Sequence, residues 1–379
     1  MTSALVGKRY YAIDAARIFC TILIVLMHCS SNSTGQPFPD ASVAERSGAL
    51  FFRAISEVAN SELFFTVSIF LMAMVSTLRP SPYVAHVSKL CKRLLIPFLI
   101  WTLIYPFFSL YKASAFGYID YQWGLLESVS FWAKAVFLGE GKYHLHFLPT
   151  LFLLALFLPI FKAAIRYPAL GLILVPMLIT HHYLDDWLWS TFWDQKEILP
   201  YLLRLSKVLT YTGYGFAACA ILGLMNRGLS DEQSGAILRF ALFVFAVFFI
   251  VKLTNFYEIA VTGEWGGRPG FSYYAHFLNP ALGFLILMML ETRVDFKAMA
   301  KVSAYNYGVY LTHPLFLDVF EVMSRNWSML PAVEVMGRFT FALTCSIIFT
   351  HLMGQSLKTG WLVGFDVKHI KPKQAVTTG

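Results

Sequence analysis

Arg17 and His28 stand 11 residues apart in an otherwise apolar stretch. On a helix, at about 100° per residue, that spacing comes back to within about 20° of one face, with the two side chains about 16 Å apart along the axis. A guanidinium can hold an anionic group, and an imidazole three turns away can move a proton near neutral pH. Asp14, three residues before Arg17, can pair with it. A headgroup-level ion pair and a bundle-facing histidine would account for the same residues without chemistry. Lys89, Lys92 and Arg93 form a second basic cluster ahead of an apolar run. It suits a cytoplasmic loop, or the phosphates of a nucleotide-like cofactor. His144 and His146 are two residues apart, so on a helix they point in different directions and make no helical metal pair. His313 precedes Pro314. A proline inside a helix kinks it, and kinks in membrane helices can open polar cavities or serve structure alone. His181 with Asp186, and His313 with Asp318, repeat a His-x4-Asp spacing. Five residues turn a helix by about 140°, so neither pair shares a face, and both are set aside.

The elements that must position these residues lie in a lipid bilayer. Hydrophobic residues make up 57% of the 379-residue chain and charged residues 14%, too few to build a soluble surface. The apolar runs are long enough to span, at roughly 20 residues each. The fold class expected is an all-α integral membrane protein, a bundle of about ten transmembrane helices. Spans are placed at about 11–31, 52–77, 94–113, 144–161, 168–184, 200–224, 236–254, 271–292, 302–322 and 333–356. Polar joints separate them, among them Asn32 to Arg46, Asp185 to Pro200 and Glu264 to Gly270. Arg204 and Lys207 fall within the sixth span, so its outer end is expected to be interfacial or to line a cavity.

The net charge of +8 would suggest nucleic-acid binding in a soluble protein. Here it reads as the positive-inside rule, and no nucleic-acid partner is expected. With the N-terminus inside, the inside segments hold more than half of the 30 Lys and Arg, including Lys8, Arg9, Arg79, Arg227, Lys297, Lys368, Lys371 and Lys373. The outside segments hold fewer, among them Arg46, Arg53, Lys112, Lys142, Arg268 and Arg338. Both termini are then cytoplasmic. Lys8 and Arg9 before an apolar stretch could open a signal peptide, but no small-x-small site follows, so the stretch is read as an uncleaved first span. Trp187, Trp189 and Trp193 fit an interfacial aromatic belt near an outer loop. The five cysteines show no metal spacing, so neither a disulfide framework nor a metal site is expected.

Five segments, in order, resemble those of the membrane acyltransferase-3 family, whose members include bacterial O-acetyltransferases of surface polysaccharides. Tyr11-Ala12-Ile13-Asp14-Ala15-Ala16-Arg17 followed by His28 resembles the family's Arg-x10-His opening. Leu63-Phe64-Phe65-Thr66-Val67-Ser68 resembles its Phe-Phe-x-x-Ser-Gly, with Ile69 in place of the glycine. Arg93-Leu94-Leu95-Ile96-Pro97 is similar to its basic approach to the third span. Tyr143-His144-Leu145-His146-Phe147-Leu148 resembles a His-Leu-Trp-Phe-Leu motif, with His146 replacing the tryptophan. Tyr307-Gly308-Val309-Tyr310-Leu311-Thr312-His313-Pro314 resembles its late Gly-x-Tyr-Leu-x-His-Pro.

The resemblance implies one acyltransferase domain over residues 1–379 in the cell inner membrane. It implies acetyl transfer from acetyl-CoA, with no permanently bound cofactor, to a sugar hydroxyl of a glycan or glycolipid acceptor. In that frame Arg17, Lys92 and Arg93 would hold the donor's phosphates, and His28 would act as general base with Glu62 orienting its ring. His144, Tyr310 and His313 would bind the acceptor or stabilise the oxyanion. Two other classes fit a polytopic chain with intramembrane ionisable residues: a transporter or flippase of a glycan or lipid intermediate, and a sensor or scaffold without chemistry.

Overall fold

The computed structural model describes residues 9–267, 270–356 and 358–365. Lys8, Arg268, Lys368, Lys371 and Lys373, used above for the charge bias, lie outside the described residues. Among the described residues every regular element is helical. Six helices are long and apolar enough to cross a membrane, or seven if a bent pair counts as one.

Helix α1 (Tyr11–Cys29) runs through the core, with Ala12, Ala15, Ala16 and Cys20 fully buried. Its N-terminus has no side-chain cap of its own. Glu291, far along the chain, supplies one: its two carboxylate oxygens accept from the N–H groups of Tyr11 at 3.1 Å and Ala12 at 2.6 Å. A carboxylate there satisfies orphan donors and complements the helix dipole.

The stretch Asn32 to Arg46, expected as a loop, instead leads into α2 (Val43–Ser56). Ser42 and Glu45 form a capping box at its start. Arg46 is buried within α2 and donates to the carbonyls of Phe38, Pro39, Ala41 and Ala260. A break at Asn60 precedes α3 (Ser61–Leu78). Helix α4 (Tyr83–Leu90) passes through a π-helical turn at Cys91–Leu95 into α5 (Ile96–Phe116), which ends at left-handed Gly117. Two short helices not anticipated from sequence, α6 (Ile119–Glu127) and α7 (Val129–Phe137), follow. Asp120, Glu127 and Lys134 break up their apolar pattern.

Helices α8 (Phe147–Leu156), α9 (Leu158–Phe161) and α10 (Ala163–Arg166) make the bent segment, with a 62° break after Leu156. Helix α11 (Leu174–Phe192) runs through much of the expected joint from Asp185 to Pro200. Helices α12 (Leu199–Thr210) and α13 (Thr212–Asn226) share one expected span. Helix α14 (Asp231–Thr262), with a capping box on Ser230 and a left-handed Gly263 at its end, is the longest, at 32 residues. The remaining elements are α15 (Phe271–Met289), α16 (Met299–Val302), α17 (Asn306–Ser324) and α18 (Pro331–Gly354). Helices thus occupy all ten expected positions, though not each passes the test of length and apolarity.

Candidate active site

Two cavities lie toward opposite ends of α1. The inner one, about 460 Å³, is lined by Arg17 and Cys20 of α1 and by His86, Lys89, Leu90, Arg93 and Leu94. Those five sit three or four residues apart, which is one helical face. The outer cavity, about 800 Å³, is lined by His28 from the other end of α1. Around it stand His144, His146, His181 and His276, four carboxylates (Glu57, Glu62, Glu140, Asp185) and the cations Arg53, Lys196, Arg204 and Lys207.

Three residues line both cavities: Phe64 of α3, Phe147 of α8 and Tyr310 of α17. Their rings touch mutually, with centroids 5.5 Å (Phe64–Phe147), 5.7 Å (Phe64–Tyr310) and 5.7 Å (Phe147–Tyr310) apart. Phe65 stacks behind Phe147 at 4.6 Å. The Tyr310 hydroxyl donates to the carbonyl of His144 at 2.5 Å, which fixes the ring. Three rings from three helices therefore form a partition between a basic chamber and a histidine-rich one.

On the outer side of this partition, His28 lies 4.5 Å from the Tyr143 ring and stacks on His313 at 5.4 Å with an interplanar angle of 20°. His144 meets His313 edge-on at 5.3 Å. His313 is fully buried and its Nδ1 contacts the carbonyls of Val309 at 3.1 Å and Tyr310 at 2.8 Å. Carbonyls only accept, so Nδ1 carries the hydrogen and Nε2 of the neutral ring is a bare lone pair. That Nε2, and both ring nitrogens of His144, are buried without a hydrogen-bond partner. Unpaired polar atoms in a core are costly, and they are found where a ligand or water is received. No group of three or more His, Cys, Asp or Glu among the described residues is placed to hold a metal ion.

The turn that carries His144 is held from two sides. Gly139 adopts φ +76°, and a Cβ there would come within 2.5 Å of the His146 backbone. Lys142 donates to Asp318 of α17 at 2.5 Å. The pair belongs to a buried network in which Lys112 also bonds Glu321, and Arg338 reaches Glu321 at 3.4 Å and pairs with Glu334. Residues 10–351 match the family model described as an acyltransferase domain, that of acyltransferase-3. The chain belongs to the acyltransferase-3 family. It is a membrane acyltransferase, and no curated protein or solved structure matches it.

The acyltransferase-3 motifs converge on the two chambers. Arg17 faces the inner one, and Asp14 makes its close ion pair not with Arg17, at 3.9 Å, but with Arg9, at 2.9 Å. Asp14 also accepts from Ser303. Arg93 and Lys89 line the inner chamber, whereas Lys92 does not. Tyr310 lines both chambers and His144 the outer one. His313 stands behind them, against His28. Glu62 lines the same chamber as His28 but accepts from Tyr211 at 2.6 Å and Ser61 at 3.2 Å. No hydrogen bond or ion pair joins Glu62 to His28 among the described residues.

Asp318 serves Lys142, and His181 lies 3.3 Å from Asp185, so neither His-x4-Asp spacing forms a pair. Arg204 and Lys207 do line a cavity. Sequence reasoning missed Tyr143, Phe147 and Arg53. Arg53 donates to the Met27 carbonyl, beside His28. Tyr143 and Phe147 both carried a signal, in the segment that resembles the His-Leu-Trp-Phe-Leu motif, and Arg53 carried none.

Proposed function

We propose that this protein transfers an acyl group, acetyl in the simplest case, from cytoplasmic acetyl-CoA to a sugar hydroxyl of a surface polysaccharide or its lipid-linked precursor. It does so as a ten-span bundle in the cell inner membrane with both termini cytoplasmic. One observation carries this reading: a single helix presents Arg17 to a basic chamber and His28 to a histidine-rich one, and three aromatic rings line both. Arg17, Lys89 and Arg93 give the inner chamber three cations on two walls, which suits the phosphates of the donor. The pantetheine arm is long and uncharged, as passage of an aromatic partition requires.

In the reaction, His28 accepts the proton of the acceptor hydroxyl as its oxygen attacks the thioester carbonyl. The C–S bond breaks, the ester forms, and the coenzyme leaves as a thiolate that takes up a proton. His144, whose two ring nitrogens are unpartnered, lies in ring contact with His313, and the N–H of its neutral ring would stabilise the oxyanion; His313, its Nδ1 hydrogen spent on backbone carbonyls, offers only an acceptor at Nε2. The competing reading is a transporter of a glycan or lipid intermediate, which shares the two-chamber layout.

Reconstituted vesicles separate the two. Acetyl-CoA binding that saturates and is weakened about tenfold in Arg17→Ala, together with acyl transfer lost in His28→Ala, is expected. Full transfer by His28→Ala overturns the mechanism. Movement of glycan with no acetyl-CoA binding overturns the enzyme.

A further inference from the structure

Helix α11 carries a stripe of residues at intervals of four: His181, Asp185, Trp189 and, at its C-cap, Trp193. All four line the outer chamber. The stripe climbs about 18 Å, at about 1.5 Å per residue, from buried His181 toward the mouth. At its foot the His181 ring meets the Tyr211 ring edge-on at 5.2 Å, and the Tyr211 hydroxyl donates to Glu62. The line of polar and aromatic contacts is thus continuous with the chamber holding His28.

Resting on the acyl-transfer reading above, we propose that this stripe is the acceptor site. Trp189 and Trp193 stack on the faces of sugar rings, and Asp185 with His181 takes their hydroxyls, aiming one of them at His28. The chemistry fits a pyranose better than an acyl chain. A sugar ring offers a C–H face to an indole and a rim of hydroxyls to a carboxylate and an imidazole. An acyl chain would cover Asp185 while offering it no hydrogen-bonding partner beyond Ser206 and His181.

Trp187 provides an internal control. It is 54% exposed, against 56% for Trp189 and 68% for Trp193, so an interfacial belt would use the three alike. It lies about 200° around the helix from Trp189. It packs on Phe192 at 5.8 Å and takes no part in the cavity wall.

The test reads two quantities for each variant: ester-linked acyl groups on the surface glycan of the source cell, by mass spectrometry, and acetyl-CoA binding by the purified protein in nanodiscs. Trp189→Ala and Trp193→Ala are expected to lower glycan acylation at least fivefold while binding acetyl-CoA as the unmutated protein does. Trp189→Phe, which keeps a stacking face, is expected to recover most of the loss, and Trp187→Ala to change it less than twofold. An equal loss in Trp187→Ala, or full acylation by a Trp189→Ala, Trp193→Ala double variant, overturns the proposal. If the unmutated protein binds acetyl-CoA yet adds nothing to the glycan, the acceptor reading itself fails and this inference falls with it.

Discussion

The two chambers are built on opposite principles. The inner wall carries Arg17, Lys89 and Arg93 among apolar neighbours, and Asp14, the carboxylate nearest Arg17, is engaged by Arg9 and Ser303. The outer wall sets four carboxylates against four Lys and Arg, with five histidines between them. A wall that carries cations and, among the described residues, no carboxylate suits a ligand of fixed negative charge. A balanced wall rich in imidazole suits a neutral acceptor and a moving proton. Under the proposed function, that difference gives recognition of the donor to one end of the bundle and chemistry to the other.

The largest effect that would break this division belongs to His28. Replacement by alanine is expected to lower acyl transfer by about 10²–10⁴-fold, the usual yield of a general base, while acetyl-CoA binding stays unchanged. Single-turnover transfer and equilibrium binding on the same vesicles check both halves, and a loss of binding would erase the distinction between chambers. Next comes Asp318→Asn. Leaving Lys142 buried without its carboxylate is expected to cost about 3–5 kcal/mol, read as a lowered thermal midpoint in detergent. Arg17→Ala should then weaken acetyl-CoA by roughly tenfold, the worth of one charge-assisted hydrogen bond, and transfer at saturating donor should recover. Phe64→Ala, which opens one side of the partition, is expected to raise thioester hydrolysis without acceptor several-fold, as water enters from the outer chamber. The smallest effect sharpens the map: Lys92→Ala should change donor affinity by less than about twofold, since Lys92 stands off the wall that Lys89 and Arg93 share.

What was legible in the sequence follows the same division. The cations of the inner chamber come from local features, one face of α1 and one face of residues 86–94, and helical spacing exposes such faces directly, whereas its apolar lining from α3, α8 and α17 is brought in by packing. Lys92 was misplaced because a charge count does not tell which members of a basic run share a face. The outer chamber draws on residues 53–64, 140–147, 181–211 and 276–277, joined only by tertiary packing. His28 and His144 were visible as costly polar residues near spans. Their meeting with His313 and Tyr143 was not, because nothing in residue spacing relates α1 to α17. Helix α2 escaped notice for a different reason. Arg46 read as a loop cation, whereas it is neutralised by four backbone carbonyls and buried. The Glu291 cap on α1 was hidden by 280 residues of intervening chain.

The ring partition has an electrical meaning as well. A bundle with a polar chamber at each end is one short segment away from being an ion conductor. Each elementary charge that crossed would dissipate about 2.3 kcal/mol at a membrane potential of 100 mV. Phe64, Phe147 and Tyr310, in mutual contact, set aromatic rings across that segment, and hydrophobic constrictions stop ions by excluding their water. A neutral chain can part the rings; a hydrated sodium ion or proton cannot do so at comparable cost. Under the proposed function the partition is an insulator: a neutral acyl arm would cross it from one chamber to the other while the voltage across the membrane stands.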